Sequence, residues 1–282
     1  MLPFTPSLEN LPATRRRTVW SVVYMLAKAV LRFLGLALML ALLLPVAADG
    51  HPAIQVVDWI WKHVGGKSQF ASVRYVEFTW AAEAEGKVGG SRIHKWDRYT
   101  GDYVLEFTNG ETNEQYKVFF NVDTRKGVAL KNGSKVDDDE TPPIIDRAYR
   151  IFINDTYWLL FATKLEDPGA RIGFVGHDGK PEQDGSEGEF VVLHLFFQEN
   201  VGLTPGDQYW IYVTHEGQIV KWRYRLESGR EGEYEWLDEK DCGMGVILSL
   251  RRVSADGKRA IVFPHVKLSR TLDRAVFEYP ED

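Results

Sequence analysis

Residues 208–236 read QYWIYVTHEGQIVKWRYRLESGREGEYEW, and this stretch decides the fold. Apolar residues recur at every second position: Tyr209, Ile211 and Val213, then Val220, Trp222 and Tyr224, then Tyr234 and Trp236. Charged residues fill the alternate places, among them Lys221, Arg223, Arg225, Glu231, Glu233 and Glu235. Period 2 with one dry and one wet side is the signature of an antiparallel sheet. His215-Glu216-Gly217 supplies a turn between two such segments.

The same pattern spreads outward from this stretch. In 74–80 the dry side is Val76, Phe78 and Trp80; in 102–108 it is Tyr103, Leu105 and Phe107. In 115–122 it is Tyr116, Val118, Phe120 and Val122, and further on Val246, Leu248 and Leu250. Turns are signalled at Thr100-Gly101-Asp102, Asn132-Gly133 and Asp256-Gly257. No helical spacers of the kind a parallel sheet needs separate these segments. The pattern predicts about 11 or 12 strands in one large, curved antiparallel sheet, an open half-barrel, with residues 49–282 as a single domain.

One stretch changes period. From Pro142 to Leu165 the apolar residues Ile144, Ile145, Ala148, Tyr149, Ile151, Phe152 and then Tyr157 to Phe161 follow helical spacing. Thr141 is placed to cap this helix, with Pro142 at its first position. Asn154-Asp155 predicts an interruption, giving one helix or a bent pair that plugs the sheet. A shorter helix is expected near Ala53–Val64. The polar, glycine-rich residues 177–189 read as a loop.

The chain has 282 residues, 44% hydrophobic and 13% aromatic, which argues against disorder. Its ends differ in charge. Residues 1–48 carry five cations against the single acid Glu9, a net of +4; the whole chain is −6, which leaves −10 for the remainder. The cations precede the charge-free run FLGLALMLALLLPVAA at 33–48. This is the layout of a secretory signal with Val46-Ala47-Ala48 at the cleavage site, or of a retained anchor through residues 18–48. The run is shorter than the roughly 20 residues of a membrane span. Either way the remainder is expected outside the cytoplasm, in the periplasm or on the periplasmic face of the inner membrane. No cysteine follows the run to carry a lipid, and Thr18-Val19-Trp20 fits a twin-arginine signal poorly. The acidic remainder, with no basic stripe, excludes nucleic acid as the expected partner.

Familiar chemical motifs are absent. Gly65-Gly66-Lys67-Ser68 ends like a phosphate loop, but Trp61 stands where its first glycine belongs. Ser186 lacks the glycine two residues before it that a nucleophile elbow requires. The seven histidines show no metal-ligand spacing, and no metal or cofactor is expected. Lone Cys242 excludes an internal disulfide. The acidic run Asp137–Glu140 reads as a solvated turn before a helix start.

The dry face is the remaining candidate. It holds Phe78, Trp80, Tyr103, Phe107, Tyr116, Phe120, Tyr149, Phe152, Trp158, Tyr209, Trp222, Tyr224 and Trp236. These side chains fill a core or line a concave apolar cavity, and both readings stand at this point. A helix of about 30 Å is short for so wide a sheet, which favours some unfilled dry surface. The polar candidates within apolar segments are His94, Asp97, Asn154, Asp155, His194 and Asp207. His194 reads as a hydrogen-bonded interior histidine, while Asn154, Asp155 and Asp207 also serve as helix or turn residues.

The runs Ile153-Asn154-Asp155-Thr156-Tyr157-Trp158-Leu159-Leu160, Lys164-Leu165-Glu166-Asp167-Pro168-Gly169, Val201-Gly202-Leu203-Thr204-Pro205-Gly206-Asp207-Gln208-Tyr209 and His94-Lys95-Trp96-Asp97-Arg98-Tyr99-Thr100-Gly101 look like those of uncharacterised bacterial exported proteins near the LolA/LolB-like lipoprotein carriers. Over residues 70–280 the chain resembles that superfamily. The resemblance implies an unclosed barrel with a helical lid that binds acyl chains in the periplasm. Three functions follow as expectations: a monomeric binder or carrier of a lipid or acyl chain; a cell-envelope hydrolase working through the polar candidates; and a partner-binding envelope module using Trp210 and Tyr212 on the wet face.

Overall fold

The computed structural model describes residues 52–178, 189–198 and 201–279. The predicted signal and most of the 177–189 loop lie outside the described residues. Two short helices open the domain, α1 (Pro52–His63) and α2 (Lys67–Ala71). Six strands follow: β1 (Tyr75–Ala84), β2 (Lys87–Asp97), β3 (Asp102–Thr108), β4 (Gln115–Asn121), β5 (Gly127–Lys131) and β6 (Ser134–Lys135). Helix α3 (Thr141–Leu160) then leads through a 3-10 turn, Phe161–Thr163, into seven more. These are β7 (Ala170–Asp178), β8 (Phe190–Phe197), β9 (Gln208–Val213), β10 (Ile219–Arg225), β11 (Glu231–Asp241), β12 (Ile247–Ser254) and β13 (Arg259–Ser269).

All thirteen strands form one open antiparallel sheet, in the order β6-β5-β4-β3-β2-β1-β13-β12-β11-β10-β9-β8-β7. Each half is a meander in which sequential strands pair. The halves join where β1 pairs β13, with Tyr75 opposite Ser269. The count is above the expected 11 or 12 and includes the tight hairpin of β5 and β6. Its turn, Asn132-Gly133, takes positive φ at both residues (50° and 86°), the conformation that Asn-Gly favours.

Helix α3 fixes the curvature. Phe152 lies 5.0 Å from Tyr103 on β3, measured between ring centroids, and Tyr157, five residues on, lies 5.9 Å from Phe197 on β8. Five helical residues advance about 7.5 Å. Strands β3 and β8 are eight steps apart in the sheet, about 38 Å if it were flat. The sheet therefore curls around the helix, and its two halves face each other across α3.

The helix is continuous, so the expected break at Asn154-Asp155 is not there. Thr141 is its first residue rather than its cap, and Pro142 sits at the second position. Asp155 stays helical because partners on the sheet hold its carboxylate. Asn154 Nδ2 also donates to Asp155 Oδ1 at 2.7 Å, which ties up two groups that would compete for backbone bonds.

The core lies on the concave face. The first half of α3 (Ile145, Ala148, Phe152) packs on β3–β5, and its second half with Phe161 packs on β8–β12. Helix α1 adds Val56, Val57, Ile60 and Trp61 to the second cluster. Phe161 has no exposed surface and touches Tyr209, Trp222 and Trp236. Phe161→Ala is expected to cost about 3–5 kcal/mol by leaving a cavity. Urea denaturation measures it, and a loss below about 1 kcal/mol contradicts the packing described.

Candidate functional site

The polar candidates separate into four environments. Asp97 is fully buried at the end of β2, where Arg74 and Arg274 approach its Oδ2 at 2.8 and 3.0 Å. Burial pushes its carboxyl up, but the Arg74 guanidinium and the Tyr99 N–H outweigh burial and hold it at about 2. It fastens the segment after β13 to the start of β1. His194 does not sit in the interior: it is half-buried on the outer face, stacked on Trp210 at 4.8 Å and within 3.1 Å of Gln208 Oε1. The side chains beside it point inward because the strand alternates. Trp210 and Tyr212 are half-buried too, each covered by a cation, Arg223 at 4.4 Å and Lys221 at 4.0 Å.

His94 and Asp155 meet beneath α3. Asp155 Oδ2 lies 2.9 Å from Arg92 Nε and 3.0 Å from His94 Nε2, in ion-pair contact rather than on the hydrogen-bond axis. His94 Nδ1 is 2.7 Å from the Tyr103 hydroxyl, and its ring stacks on Phe78 at 4.2 Å. Arg92 in turn lies 3.7 Å over Trp80. Burial lowers the His94 pKa and raises that of Tyr103. An Asp-His-Tyr order resembles a proton relay, yet all three side chains are sealed from solvent. In this arrangement they anchor the helix.

The fourth environment is a cavity of about 280 Å³ beside the C-terminal half of α3. The helix supplies Arg150, Ile153, Asn154, Tyr157 and Trp158. Strands β9 and β10 supply Tyr209, Trp222 and Tyr224, and the loops at 203–207 and 226–230 close it with Leu203, Thr204, Asp207, Leu226 and Arg230. Trp158 stands at 89° to Tyr224 and 66° to Trp222, so the rings form a corner rather than a stack. Asp207 accepts from the Glu227 N–H at 2.9 Å and the Tyr209 hydroxyl at 3.3 Å. Burial raises its pKa. The Trp222 indole N–H has no partner among the described residues.

Of the aromatic candidates, Trp158, Tyr209, Trp222 and Tyr224 line this cavity. Phe78, Tyr103, Phe120 and Phe152 are packed core, and Phe107 stacks on Tyr116 at 5.1 Å. Tyr149 lies under Arg125 at 4.3 Å. Trp236 carries the fully buried Arg252 at 3.7 Å, and burial lowers that guanidinium to about 9. The sequence reading missed Arg150, Ile153, Tyr157, Leu203, Thr204, Leu226 and Arg230. The loop signals Thr204-Pro205-Gly206 and Ser228-Gly229 mark turns, but nothing in them says that these loops meet over the helix. Among the described residues no group of side chains is placed to hold a metal ion, and no helix is long and apolar enough to cross a membrane.

No protein-family profile matches the chain, and no curated protein matches it. Among solved structures, an uncharacterized conserved protein from Thermus thermophilus aligns over 82% of this chain and 96% of its own, at 10% identity and a TM-score of 0.27. A likeness that low carries no argument about fold or function.

Asp155→Asn removes the buried counter-charge of Arg92, and breaking such a pair typically costs about 3–5 kcal/mol. A second change, Arg92→Met, is expected to return part of that loss, as a double-mutant cycle in urea would show. The pH dependence has a definite sign. His94 is held below its ordinary pKa, so as pH falls past about 6.5 the unfolded chain takes up a proton that the folded chain refuses, and stability drops. Because Glu239 raises His63, which acts in the opposite direction, the slope is read as the difference between wild type and His94→Gln.

Proposed function

We propose that this is an exported, monomeric protein that binds a lipid or acyl chain in the hollow of its open sheet, as a carrier would. One observation carries the reading: a core otherwise filled with aromatic side chains leaves a partly open aromatic cavity of about 280 Å³ between α3 and β9–β10. Ligand pockets usually run from about 300 to 1,000 Å³. A long chain thus exceeds this space, and only part of the ligand is enclosed. Burial of each methylene contributes about 0.8 kcal/mol. The basic, apolar N-terminal layout supports action outside the cytoplasm.

Displacement of a fluorescent fatty acid tests the reading, together with native mass spectrometry of protein purified from cells. Bound lipid in the spectrum and displacement by unlabelled fatty acid are expected. Tyr224→Ala, which widens the cavity and removes a wall, is expected to weaken binding about tenfold or more. Protein free of lipid that also fails to bind the probe counts against the proposal.

A further inference from the structure

A hydrocarbon alone would leave two features of the cavity unanswered. Asp207 places a carboxylate in an aromatic wall, and its two hydrogen bonds do not cancel its charge. Arg150 and Arg230 bring two cations to the same rim. Perpendicular tryptophan and tyrosine faces beside a carboxylate are the chemistry that recognises a quaternary ammonium, through the negative faces of the rings. Two guanidiniums are donors suited to a phosphate.

We propose that the cavity grips a zwitterionic head group, a quaternary ammonium joined to a phosphate, with the ammonium in the corner of Trp158, Trp222 and Tyr224 near Asp207 and the phosphate toward Arg150 and Arg230. This rests on the reading that the cavity holds a lipid, and it specifies that the enclosed part is the head rather than the tail. The net positive charge of the lining disfavours a bare cation. The volume, small for a long chain, suits a head group of this size. Asp207, whose pKa burial raises, gains a counter-charge when the ammonium enters.

The experiment is titration of the protein by calorimetry with phosphocholine and with 3,3-dimethylbutyl phosphate, its uncharged-end isostere of the same shape. The expected result is saturable binding of phosphocholine with at least tenfold weaker binding of the isostere. Asp207→Asn keeps the turn acceptor and is expected to erase that preference, while Arg150→Ala with Arg230→Ala weakens both phosphates at least tenfold. Equal binding of the two compounds, or no binding of phosphocholine, overturns the inference. A fluorescent fatty acid is titrated alongside. If it binds while phosphocholine does not compete, the head-group inference falls and the acyl reading stands. If phosphocholine binds with the preference and the fatty acid does not bind, the acyl reading alone falls. If neither binds, both fall.

Discussion

Two contacts five residues apart on one helix govern the whole molecule: Phe152 against β3 and Tyr157 against β8. Strands so far apart in the sheet reach neighbouring turns of α3 only if the sheet bends through most of a circle. Right-handed twist makes such bending natural for a wide sheet, and the helix selects how far it goes. Aromatic rings serve here because each buries a large area and bridges the gap between sheet and helix. Closure stops short of a barrel because β6 and β7 end on opposite edges with α3 spanning between them.

Curling accounts for the state of the dry face. Around β3 and β4 the sheet comes close enough to α3 for Tyr103, Leu105, Val118 and Phe120 to interlock with Ile145, Ala148 and Phe152. Around β9 and β10 the first half of the helix has passed, and the second half turns Trp158 and Phe161 inward. The loops before β9 and after β10 then arch over the remaining space instead of filling it. Anchoring by the contacts among Arg92, Asp155 and His94 fixes the rotation of α3. This places adjacent Asn154 at the cavity and Trp158, one turn on, against the wall.

Much of the fold was legible because alternation survives wherever one face is dry and the other wet. The segment at 102–108 coincides with β3, and Tyr209, Ile211 and Val213 all fall on β9. The helix was legible too, by its change of period. What escaped the pattern has physical reasons. Val220 was read on the dry side, but a register shift between Ile219 and Lys221 puts Ile219 in the core instead. Arg252 breaks the alternation of β12 because Trp236 stacks on its guanidinium and Ser249 accepts from it at 2.7 Å. Asn154-Asp155 has the local chemistry of a breaker, and only partners from β2 reverse that preference. Gly232 lies among charged residues for a reason no local pattern contains: a methyl there would come within 2.6 Å of the Tyr224 ring. The site was half legible. Its aromatic wall shares the signature of the core, so sequence could nominate Trp222 and Tyr224 but could not separate them from Phe78 or Tyr103. Arg150 and Arg230 look like ordinary surface cations until the loop after β10 comes to rest beside α3.

The pairing of β1 with β13 has a consequence for how the molecule is made. Tyr75 waits for Ser269, 194 residues later, while nearly every other strand meets a neighbour from its own hairpin. Synthesis from the N-terminus therefore leaves the first long strand with a bare rim until almost the last segment has emerged. Contacts that distant bear a loop-closure cost that local hairpins avoid, so this seam zips late and slowly. Lys267 and Glu77, facing each other across it, and Glu83 with Arg251 one strand further on put charge along the rim, a means by which natural sheets discourage the wrong partner during such a wait.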